Sequence, residues 1–398
     1  MSLSEWPSAS GLNSPLTTPQ WPTHGGQAET LLAHFGLPAD HPLEDVSANL
    51  NPLGPPTWVR DWLTKRLAGL ERYPAPDYGK ARCAIAAHHQ LQPDQVLLTN
   101  GGAEAIYLAA ALHAGERAAI VTPSFGEYAR ACRAHRLTVT EIALPAPHFT
   151  LAMDPLLAAL DSVDVLFLCR PNNPTATLMD STAMEALLAH TAAIGCRVVV
   201  DEAFIGLSGG ARPQASLAPL LARFPHLMLL HSMTKFYTLP GLRLGYLLAN
   251  RVTVEAAASH QPAWSVNHLA AELVAPLLAD EAFADRTQQW LNSERPRMAQ
   301  ALAQLELEVV PSHACFFLIR PRISQGSISQ RSNSQSSNSQ RISTDALFER
   351  LLRQGVLVRH THNFAGLDGE WLRVALRDAP ANQRLIHELE KALHDCLR

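Results

Sequence analysis

The chain has 398 residues, room for two domains or for one large domain with a smaller companion, and with 47% hydrophobic and 17% charged residues it is not disordered as a whole. A balance of 32 Lys and Arg against 36 Asp and Glu gives a net charge of −4 with no basic block, which argues against a nucleic-acid partner. No stretch approaches the roughly 18 uninterrupted apolar residues of a membrane span.

Residues 1–23 are rich in Ser, Pro and Thr and read as a disordered tail, with order expected from about His24. Residues 24–72 read as an N-terminal arm that also contributes to a small domain. From Val96 onward, short apolar runs alternate with amphipathic stretches: 96–99 (VLLT), 118–122 (AAIVT), 163–168 (VDVLFL), 197–200 (RVVV), 227–231 (LMLLH) and 243–249 (RLGYLLA). Such runs, bounded by turn residues and separated by helical patterns, predict a largely parallel sheet buried on both faces, hence an α/β protein whose large domain spans 73–265. Helices are predicted over 103–115 and 182–195, each closed by Gly. Longer helices over 266–305 and later ones over 344–355 and 380–393 predict a smaller domain over 266–398. The Ser/Gln/Asn tract at 322–343 cannot offset its ordering entropy and reads as a disordered insertion in that domain.

The six cysteines are scattered without a CxxC pair, and the N-terminus lacks the basic and apolar regions of a secretory signal, so a reduced, cytoplasmic protein is expected. His360 and His362 form an HxH pair, but without further ligands at suitable spacing they read as structural or exposed histidines, and no metal site is expected.

Four segments carry the chemistry: 100–106 (NGGAEAI), 171–176 (PNNPTA), 200–204 (VDEAF) and 231–245 (HSMTKFYTLPGLRLG). Each follows a predicted strand, so their side chains should converge at the carboxyl ends of the sheet, where open α/β folds bind ligands. In this order they resemble the fold type I enzymes that use pyridoxal 5'-phosphate, the aspartate-aminotransferase-like superfamily. The resemblance implies a large domain with a mostly parallel seven-stranded sheet flanked by helices, a smaller α+β domain, and pyridoxal 5'-phosphate as cofactor.

Under that resemblance Lys235 is the amine that condenses with the cofactor aldehyde. Asp201 pairs with the pyridine nitrogen, its alternative reading being a helix cap. Gly102, Ala103 and Glu104 open a helix whose free N–H groups favour a phosphate, although Gly-Gly before a helix is also an ordinary turn. Ser232, Thr234 and Arg243 surround the same phosphate, and Asn173 reaches the ring hydroxyl. Phe125 stacks on the ring, or is simply core. Tyr73 resembles the tyrosine that reaches the phosphate from a partner subunit, which implies a homodimer with a composite site. Ala176 stands where the family's PNNPTG has a Gly whose turn can need positive φ.

A narrower resemblance runs from His24 to about Leu393. Residues 24–26 (HGG), 47–56 (SANLNPLGPP), 71–78 (ERYPAPDY), 262–271 (PAWSVNHLAA), 359–368 (RHTHNFAGLD) and 371–377 (WLRVALR) look like the threonine-phosphate decarboxylase family. It implies decarboxylation of L-threonine O-3-phosphate for cobalamin biosynthesis. Arg373 then holds the substrate carboxylate, and His24, Gly25, Asn49, Asn173 and Arg359 hold the rest of this small-molecule substrate. Arg359 has a second reading as a surface arginine. Phe204 is a marker of the family, where histidinol-phosphate aminotransferases usually have Tyr. Transamination of histidinol-phosphate type is the alternative activity, and a non-catalytic cofactor-binding protein on the same scaffold is the third reading.

Overall fold

A computed structural model describes residues 22–209, 216–322 and 342–396. The tail expected over 1–23 lies outside them except for Pro22 and Thr23, as does nearly all of the insertion expected over 322–343. In chain order the strands are β1 (Glu44–Asp45), β2 (Val96–Thr99), β3 (Arg117–Thr122), β4 (Thr138–Ala143), β5 (Val165–Cys169), β6 (Arg197–Asp201), β7 (Leu227–Ser232), β8 (Gly245–Leu248), β9 (Leu307–Val309), β10 (Phe316–Pro321), β11 (Val356–Leu357), β12 (Arg359–His360) and β13 (Leu372–Ala375).

Seven of these form the central sheet in the order β2-β8-β7-β6-β5-β3-β4. All neighbours are parallel except β8, which runs antiparallel to both β2 and β7. The run of apolar residues in β6 is explained by burial on both faces. Val198 and Val200 join one core cluster with Leu187, whereas Val199 joins another with Ala109 and Tyr128. Strand β4 was absent from the predicted runs because it is an edge, and its TVTEIA has no fully buried residue.

The smaller sheet, β12-β13-β10-β9, is antiparallel throughout. Residues 44–47 join it from the far end of the chain. β1 pairs in parallel with β11, and the Ala375 N–H donates to the Val46 carbonyl at 2.8 Å. This brings Ser47 and Asn49 beside the carboxyl ends of the large sheet. Ala176 is fully buried at φ +60°, so the left-handed turn that favours Gly persists here with a Cβ.

No helix among the described residues is long and apolar enough to cross a membrane.

Candidate active site

Order in the central sheet reverses between β3 and β5: the chain goes outward from β3 to β4, then returns to the other side of β3. Loops leaving such neighbours diverge and open a crevice at their carboxyl ends. There the structure has a cleft of about 610 Å³, lined by residues that follow the strands of the large sheet and by residues of β12 and β13. His24, Gly25, Asn49, Gly102, Ala103, Phe125, Asn173, Asp201, Ser232, Thr234, Lys235, Arg243, Arg359 and Arg373 all line it.

Asp201 ends β6, and strand alternation turns it into the cleft while Glu202 points into the core toward Arg170 at 3.4 Å. Asp201 caps no helix. Its Oδ1 accepts from the Ala203 N–H at 2.8 Å and its Oδ2 from the Tyr128 hydroxyl at 2.7 Å. Burial raises its pKa, opposed by those two hydrogen bonds and by Lys235.

Lys235 sits in a single helical turn, Met233–Phe236, directly after β7. Burial, followed by the charge of Arg373, pulls its amine down to about 8. The neutral form attacks an aldehyde, so lowering the pKa moves the reactive range downward. Aldehyde capture by the cofactor-free protein is expected to speed up with pH and level off above about 8, rather than near the ordinary 10.5. Stopped-flow absorbance would show this, and a plateau only near 10 would contradict it.

The 11-residue helix Gly101–Ala111 opens the cleft floor. Gly101 has φ +75°, and a Cβ there would strike the Arg243 guanidinium, so glycine lets that cation lie against the helix start. The Ser232 and Thr234 hydroxyls, 2.7 Å apart, face the same place. The Glu104 side chain has a separate role. Its carboxylate accepts from the Asn100 N–H at 2.6 Å and from Gln261 at 3.0 Å, so it fixes the turn and lies outside the cleft lining. Glu104 can offer a phosphate only its backbone N–H. This set fits a pyridoxal phosphate: N–H groups, two hydroxyls and a guanidinium for the phosphate, a buried carboxylate for the ring nitrogen, and a buried amine of lowered pKa for the aldehyde.

The other half of the cleft carries two arginines. Arg359 in β12 and Arg373 in β13 are directly opposed across the strand pair, so their side chains share a face. They are only 4% and 6% exposed, and neither has a carboxylate within 4 Å among the described residues. Arg359 is thus not a surface arginine. Burial lowers it to about 10, and burial together with Arg359 lowers Arg373 to about 9.

Arg373 donates to Asn173 Oδ1 at 2.6 Å and to the Ser47 carbonyl at 2.7 Å, while its Nε has no partner. Both polar side-chain atoms of Asn49 are likewise unpartnered although buried. Arg359 donates to the Pro22 and Thr23 carbonyls, each at 2.8 Å, and to Asn363 Oδ1. Residues 22–26 therefore form a strap across the mouth. It holds His24 over Phe125 at 5.8 Å between ring centres, and a Cβ on Gly25 would collide with the Ser47 carbonyl.

Sequence reasoning missed Tyr128, Glu127 and Asn363. Glu127 lies within 3.3 Å of the His24 Nε2. The first two lie two and three residues after Phe125, at the start of the helix Glu127–Ala134 that follows the switch-point strand β3, and that position was the available signal. Tyr73 is not in this cleft: it is 78% exposed and stacks on Trp264 at 4.7 Å. His360 meets Asp345 at 2.8 Å and packs on Phe348, away from the cleft.

The aminotransferase class I and II family matches residues 45–389. The chain belongs to that family. The threonine-phosphate decarboxylase of Salmonella typhimurium is 36% identical to it over 93% of this chain and 96% of its own. A histidinol-phosphate aminotransferase of Methanothermobacter thermautotrophicus is 28% identical over 89% of this chain and 90% of its own. Among solved structures, L-threonine-O-3-phosphate decarboxylase from Porphyromonas gingivalis superposes with a TM-score of 0.75 at 26% identity, covering 88% of this chain and 99% of that one.

Proposed function

We propose that this protein is a pyridoxal-phosphate-dependent decarboxylase that converts L-threonine O-3-phosphate to (R)-1-amino-2-propanol O-2-phosphate and CO2, a step of cobalamin biosynthesis. The observation that carries the reading is the pair of buried, directly opposed guanidiniums without a counter-ion, in one cleft with Lys235. Two desolvated like charges are unfavourable until anions arrive, which points to a substrate with two anionic groups on a small skeleton. Threonine phosphate offers a carboxylate, a phosphate and an amine. The 36% identity to a threonine-phosphate decarboxylase supports the same substrate.

When bound, the cofactor supplies an aldehyde for the substrate amine and a ring that takes up the electron pair left at Cα. The chain's own residues do the rest. Arg373 holds the carboxylate, its planar fork matching a planar anion, and Arg359 with His24, the Gly25 N–H and Asn49 holds the phosphate. Holding both ends fixes which Cα bond lies perpendicular to the ring, and the binding energy of the remote phosphate serves that orientation. Asn173 already gives its Oδ1 to Arg373, which leaves its NH2 for the ring hydroxyl. The strap 22–26 limits water. Once CO2 has left, Lys235 Nζ returns a proton to Cα, a transfer suited to an amine with a pKa near 8.

Product analysis decides the reading. With threonine phosphate, cofactor and no keto acid, catalytic release of CO2 and aminopropanol phosphate is expected. One stoichiometric conversion of cofactor to its amine form, continuing only when keto acid is added, would instead make this an aminotransferase of histidinol-phosphate type.

The protein acts as a homodimer in this reading. Tyr73 and Trp264, their rings 4.7 Å apart, are exposed, as are Leu67 and Leu70 shortly before Tyr73 in the chain, apolar surface suited to burial against a second copy. Tyr73 then completes the partner's phosphate site. Mixing Lys235→Ala with Tyr73→Ala chains, each nearly inactive alone, is expected to restore about a quarter of wild-type activity by random pairing in equal mixtures. No recovery after subunit exchange would rule out the composite site.

A further inference from the structure

We propose that Tyr128 is the positioning residue of the cofactor ring, its hydroxyl fixing the Asp201 carboxylate and its aromatic ring backing Phe125. The inference rests on the cofactor reading above and adds a residue to it. Tyr128 lies in the helix Glu127–Ala134, 73 positions from Asp201 in sequence, and is 1% exposed. Its hydroxyl donates to Asp201 Oδ2 at 2.7 Å, a charge-assisted bond in a desolvated setting. The same ring meets Phe125 nearly edge-on, with centres 6.0 Å apart at 84°, and stacks on Phe167 of β5 at 6.4 Å. One side chain thus ties the group expected at the ring nitrogen to the group expected on the ring face.

The chemical consequence follows from which groups face Asp201. They are the Tyr128 hydroxyl, the Ala203 N–H, Lys235 and the Cys169 thiol at the end of β5. Among them Tyr128 provides the largest opposition to the burial that favours a neutral Asp201. Burial also holds the phenol well above its ordinary pKa, so it stays a donor. With the hydroxyl in place, Asp201 remains a carboxylate and the proton stays on the ring nitrogen, where it makes the ring a better acceptor of electrons. Without it, Asp201 becomes more basic and takes that proton.

The test uses holoenzyme loaded with cofactor labelled with 15N in the ring. Tyr128→Phe keeps the aromatic packing and removes only the donor. The ring-nitrogen resonance is expected to move from the protonated position toward that of neutral pyridine. The kcat should fall about tenfold, the scale of one hydrogen bond to a charged group, with KM within about twofold. In an Asp201→Asn background, where no carboxylate remains to be held, adding Tyr128→Phe should change neither quantity further. An unmoved resonance in Tyr128→Phe would overturn the proposal. So would an equal further loss of kcat in both backgrounds, which a merely structural role would produce. The resonance is read without substrate, so failure of the decarboxylase reading would show separately, as absent CO2 release by the wild-type enzyme.

Discussion

Lys235→Ala is expected to lower CO2 release from threonine phosphate by about 10⁴-fold or more while leaving the fold intact. The amine has two tasks in the proposed chemistry: it joins the cofactor aldehyde before substrate arrives and returns a proton to Cα after CO2 departs. Its side chain faces the cleft, and it forms no ion pair with any described residue whose loss would unfold the protein. Lys235→Arg separates the two tasks from simple charge. It keeps a cation, but a guanidinium neither condenses with an aldehyde nor gives up a proton near neutral pH. Both variants are therefore expected to be inactive, and a small primary amine added to Lys235→Ala should restore part of the proton transfer. Turnover of Lys235→Arg within tenfold of wild type would refute the assignment.

The second large effect separates the two arginines. Arg359→Ala is expected to lower kcat/KM for threonine phosphate by about 10²- to 10³-fold, the scale of losing a buried cation's bonds to an anion. For unphosphorylated L-threonine, which has no phosphate for Arg359 to hold, the same change should matter little. Arg373→Ala should depress both substrates alike, because both carry the carboxylate. The structure explains why the two are not interchangeable despite facing each other across β12 and β13. Arg373 is anchored on Asn173 and Ser47, beside the carboxyl ends of the large sheet, whereas Arg359 is anchored on the strap and Asn363 at the outer mouth. Equal losses for both substrates in Arg359→Ala would show that it does not read the phosphate.

Much of the large sheet was legible because its strands are buried on both faces and so appear as uninterrupted apolar runs. Edge strand β4, with Thr138, Thr140 and Glu141, gives no such run. The converging loops were legible because each follows a strand and connectivity alone brings strand ends together. The direction of a side chain at the helix starts that follow those loops was not. The Glu104 carboxylate turns back to the Asn100 N–H, while Tyr128, three residues after a predicted site residue, is what touches Asp201. Ala176 shows the opposite case. The φ expected from a missing Gly is present at +60°, because the surrounding backbone, including the 2.7 Å bond from its N–H to the Asn172 carbonyl, leaves no other path. The hold of Pro22 and Thr23 on Arg359 joins residues more than 330 positions apart, and no local pattern encodes it.

Two buried cations facing each other without a counter-ion also set how the protein withstands heat. With no anion beside them they work against folding, relieved only by carbonyl and amide oxygens, so this arginine pair is a weak point in the thermal stability of the chain. A dianion that fits removes that weakness and adds its own binding free energy, about 2.7 kcal/mol at a hundred times its Kd. Replacing Arg359 with an apolar residue of similar length would relieve it permanently. The variant least able to recognise substrate would then melt at the higher temperature, and selection for sturdiness alone would erase the arginine that recognition needs.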